Sequence, residues 1–99
     1  MHGQQPKAVT CPAIDGIIKE ANEISGEISD KEVLDAALLA SAQSVEHYEI
    51  TRYGTLVSWG ELLDLPDAVK LLSMTLKEEH GADSKLTKLA ESKLNKQAA

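Results

Sequence analysis

The chain has 99 residues, 42% of them hydrophobic and almost all aliphatic, with two Tyr, one Trp and no Phe, so it forms one small domain whose slim side chains suit helix-on-helix packing. Sixteen acidic residues against ten basic leave a net charge of −6, which excludes a surface built to hold a phosphate backbone. The single cysteine, Cys11, excludes an internal disulfide framework and points to a reduced, cytoplasmic setting, and no apolar run approaches the roughly 18 residues of a membrane span.

Residues 1–10 (MHGQQPKAVT) are polar, carry Gly3 and Pro6 and read as a loop without the apolar core of a signal peptide; His2 belongs to this terminal stretch. Thr10 is a candidate N-cap ahead of Pro12, a residue tolerated in a first helical turn. Ile14, Ile17, Ile18, Ala21 and Ile24 then recur at helical spacing, predicting a short helix over 12–25 that ends near Gly26. Ser29, Asp30, Lys31 and Glu32 have the form of a capping box with Ser29 as cap. The next segment, 30–64, contains no proline and predicts a helix of roughly 50 Å. Gly54 and Gly60 each weaken it by about 1 kcal/mol relative to Ala and mark either a close approach or a break. Pro66 ends it, because the residue before a proline avoids helical backbone. A last helix is expected over 66–97, with Val69, Leu72, Leu76, Leu86 and Leu89 on its buried face. So short a link makes the two long helices antiparallel neighbours.

The middle helix offers two candidate faces. One stripe is Leu39, Ala42, Glu46, Glu49, Tyr53, Leu56, Gly60 and Leu63; the other is Leu34, Leu38, Ser41, Val45, Tyr48 and Arg52. On the last helix, Leu72, Leu76 and Leu86 bracket Glu79 and Asp83. Glu49 and Asp83 stand equally far from Pro66, so the first stripe places Glu46, Glu49, Glu79 and Asp83 at one level between the helices. Buried carboxylates must be protonated, paired with cations or bound to metal. Arg52 and Lys77 are the nearby cations, and two iron or manganese ions are the other remedy, carboxylates being hard ligands. If the second stripe is the core face instead, Glu46 and Glu49 form a solvated edge. His47 and His80 adjoin acids and, with Tyr53, are candidates to orient the ligands from behind; solvated histidines and a plain core tyrosine are the simpler readings. Trp59 reads as an apolar anchor near the hairpin end. Cys11 stands at a helix start, where a thiol pKa falls, but no partner pattern makes it catalytic.

Three strings carry a resemblance. The segment from Cys11 to Glu20 (CPAIDGIIKE), Val45 to Ile50 (VEHYEI) with Tyr53-Gly54-Thr55, and Leu76 to Glu79 (LKEE) followed by Ala82, Asp83 and Leu86 resemble the YciE/YciF family of bacterial ferritin-like proteins over nearly the whole chain. The resemblance implies an all-α fold: a ferritin-like helical hairpin preceded by a short helix. It also implies a role in stress responses and a rubrerythrin-like di-metal centre. Family members carry another helical hairpin ahead of the point where this sequence begins, so the chain is expected to be a fragment or a reduced member. Glu46-x-x-Glu49 and Glu79-x-x-x-Asp83 also stand where ferritin-like proteins usually have Glu-x-x-His.

The expectation is therefore a carboxylate protein binding two iron or manganese ions through Glu46, Glu49, Glu79 and Asp83, with His47, Tyr53 and His80 behind them. It acts in an oxidative or general stress response, and no residue specifies a reaction. A homodimer would complete a four-helix bundle. The competing expectation is a metal-free helical scaffold or interaction protein. A membrane-surface helix is disfavoured by the acidic charge.

Overall fold

The computed structural model describes residues 9–99; most of the expected 1–10 loop, with His2, lies outside them. Helix α1 spans Pro12–Glu27, α2 spans Lys31–Leu62 and α3 spans Pro66–Leu89; a widened π-helical turn, Ala90–Leu94, leads into a last short helix, α4, Asn95–Ala98. All the regular structure among the described residues is helical, as the composition and periodicity predict.

The boundaries follow from local chemistry. α1 starts with Pro12 at its first position and Cys11 in extended backbone before it; Cys11 rather than Thr10 is the cap residue, and no side chain caps the helix. At the start of α2 the cap is Asp30, not Ser29. One Asp30 carboxylate oxygen accepts hydrogen bonds from the backbone N–H of Glu32 (2.9 Å) and Val33 (3.2 Å), satisfying two of the free donors of the first turn. A carboxylate also complements the positive end of the helix dipole, so Asp30 outcompetes the hydroxyl one residue earlier.

The α2 C-terminus closes as a Schellman motif. Leu65 N–H donates to the Gly60 carbonyl at 2.9 Å and Asp64 N–H to the Glu61 carbonyl at 3.2 Å. Asp64 adopts the left-handed conformation this requires (φ 54°), which Asp tolerates better than most residues. Pro66, with no N–H to lose, opens α3. The helices meet closely beside this turn. Gly60 is buried, and a Cβ placed on it would lie 2.9 Å from Val69 Cγ2. Close approach is therefore the role of Gly60, while Gly54 has open space around its Cα.

α2 is the central element: α3 packs along one side of it and α1 along another. This resolves the two candidate stripes, because both are used. Leu39, Glu46 and Gly60 turn toward α3, whereas Tyr48 of the second stripe meets the start of α1, with Cys11 Sγ 3.4 Å from its hydroxyl, and Leu38 and Arg52 of that stripe are exposed. The molecule measures 51 × 27 × 15 Å, a slab about one helix thick. Leu39 and Ala90 are its only buried hydrophobic residues among those described. Several residues expected inside are outside: Leu56, Leu63, Leu89 and Trp59 are all exposed. One layer of helices has no second layer to hide them against.

Two stability predictions follow from these contacts. Asp30→Ala is expected to cost about 1 kcal/mol while Ser29→Ala is nearly neutral, measured by urea unfolding. Gly54→Ala should stabilise by up to about 1 kcal/mol. At Gly60→Ala the contact with the stiff Val69 outweighs that gain, for a net loss of about 1 kcal/mol. Adding Val69→Ala to Gly60→Ala should recover part of the loss.

Candidate carboxylate site

At mid-height of the α2/α3 seam, polar residues replace the hydrophobic ones. The helical turn sends consecutive residues about 100° apart, so Glu46 and His47 leave α2 on opposite edges of the seam. On one edge the Glu46 and Glu79 carboxyl groups lie against each other, and Glu46 Oε2 is buried with no hydrogen-bond partner. Both residues are half-buried. On the other edge His47 Nε2 lies 2.8 Å from Asp83 Oδ1. Gln43 Nε2 donates to the same oxygen at 3.3 Å and to the Thr87 hydroxyl at 2.7 Å. The sequence-predicted quartet is thus divided into a Glu46–Glu79 pair and a separately held Asp83. Glu49 is half-buried one turn beyond Glu46 on α2.

The reason for the division is register. The pairs His47–Asp83, Gln43–Thr87 and Gly60–Val69 are centred on Asp64 and Leu65, because the Schellman turn, not Pro66, is the midpoint of the hairpin; the Glu46–Glu79 contact is centred earlier, between Leu62 and Leu63. Counting from Pro66 misplaces the helices by about two to three residues. Asp83 is thereby level with His47, and the Glu79 side chain meets Glu46 from about one turn nearer the hairpin end.

The remaining expectations separate as follows. His80 is exposed, Tyr53 is half-buried one turn from Glu49, and Lys77 is exposed. Arg52 does not reach the acids. Its Nε donates to the Tyr48 hydroxyl at 2.9 Å, and its guanidinium carbon lies 5.1 Å from that ring's centre. Gln43 and Thr87 were not anticipated; Gln43 falls on the α3-facing stripe with Leu39 and Glu46, and a polar residue within an apolar row was the available signal.

Two groups titrate away from their ordinary range. Contact with the Glu46 carboxyl group, then burial, then the like charge of Glu46 raise the Glu79 pKa. Chiefly the Tyr48 hydrogen bond, then the backbone N–H of Ile14, lower that of the Cys11 thiol. Chemically, the Glu46–Glu79 edge offers hard oxygen donors with an unmet lone pair, suited to a proton or a hard cation. Among the described residues no group of three or more His, Cys, Asp or Glu side chains converges on one point.

Comparison with known proteins agrees with this architecture. The domain of unknown function DUF892 matches residues 1–99. Protein YciF of Escherichia coli strain K12 is 51% identical over 92 residues, 93% of this chain and 55% of its own length. The chain belongs to the YciE/YciF family. Within the family, the crystal structure of the E. coli stress protein YciF superposes with a TM-score of 0.84 at 48% identity, covering 97% of this chain and 60% of that one. YcfI of Rhodopseudomonas palustris superposes with a TM-score of 0.81 at 60% identity, covering 86% of this chain and 54% of that one. The chain thus spans little more than half the length of these relatives.

The raised Glu79 pKa gives a pH signature. A carboxyl whose folded pKa lies above its unfolded value favours the folded state below the usual carboxylate range. That contribution is lost as pH rises through the raised pKa. Glu79→Gln should therefore stabilise the metal-free chain at neutral pH and flatten its stability profile on the alkaline side of the carboxylate range. Chemical unfolding at a series of pH values checks this, with Glu78→Gln, an exposed neighbour, as the control.

Proposed function

We propose that this chain is a carboxylate metal-binding member of its family, holding iron or manganese as part of a stress response. The buried, unpartnered Glu46 Oε2 beside Glu79 carries the reading. Two carboxylates pressed together without a cation are costly, and a hard cation is a partner that relieves the repulsion and fills the vacant lone pair. Glu46 and Glu79 are the inferred ligands, with Glu49 the next donor along α2. Asp83, fixed by Gln43 and His47, would reach the ion only by leaving that pair. It otherwise serves to hold the two helices in register behind the ligands. A bound iron or manganese pair would supply electron exchange with oxygen or peroxide. The role in stress rests on the relative YciF, which is described as a stress protein.

The second reading is a metal-free helical scaffold. It is favoured by the lack of any three-residue donor group among the described residues and by the structural role put forward for YcfI.

Equilibrium dialysis against manganese, read by elemental analysis, separates the two. Saturable uptake that Glu46→Gln and Glu79→Gln each weaken by about tenfold or more, and His47→Ala by less, supports the metal reading. No saturable uptake by a folded chain supports the scaffold.

A further inference from the structure

We draw no further inference here: the strongest candidate, the Cys11–Tyr48–Arg52 cluster where the start of α1 meets α2, is a single thiol supported by hydrogen bonds within its own cluster, with nothing else in the structure that points to a ligand.

Discussion

Helix α2 must satisfy two neighbours at once, and the rest of the structure depends on that constraint. One side of it receives α3, closely enough at Gly60 that no Cβ fits without displacing Val69. Another receives α1, with Cys11 reaching Tyr48. A helix serving two neighbours carries hydrophobic residues on more than one face and loses the clean single stripe of a surface helix. The polar residues of the α3-facing seam are positioned by the same demand: once Gly60 and Val69 set the register, Asp83 stands level with His47.

The seam keeps its two kinds of polar contact apart. On one edge Gln43, His47, Asp83 and Thr87 answer each other's hydrogen-bonding needs, which adds specificity to the pairing of α2 with α3. On the other edge Glu46 and Glu79 are alike in charge and leave an oxygen unmatched. Such a local conflict in an otherwise consistent seam is where function is to be sought.

The molecule is thin, at 51 × 27 × 15 Å. A hairpin with one flanking helix cannot bury both sides of itself, and the few buried residues, Leu39, Gly60 and Ala90, all lie where helices meet within the layer. The relatives are nearly twice as long as this chain.

Sequence periodicity and punctuation alone determined the helical class, the short helix and the two long ones, and the Pro66 boundary, because apolar spacing, proline and capping residues act over a few neighbours. The strings around Glu46 and Glu79 were enough to suggest the family. The three-dimensional packing decided the rest. It chose Asp30 over Ser29 as the cap, turned one stripe of α2 toward α3 and Tyr48 of the other toward α1, and centred the hairpin on Asp64 and Leu65. It thereby gave Asp83 to His47, and it paired Glu46 with Glu79. These outcomes depend on the geometry of one tight turn and on how closely two helices approach, and a shift of one turn along a helix exchanges which side chains meet without altering the spacing along the chain.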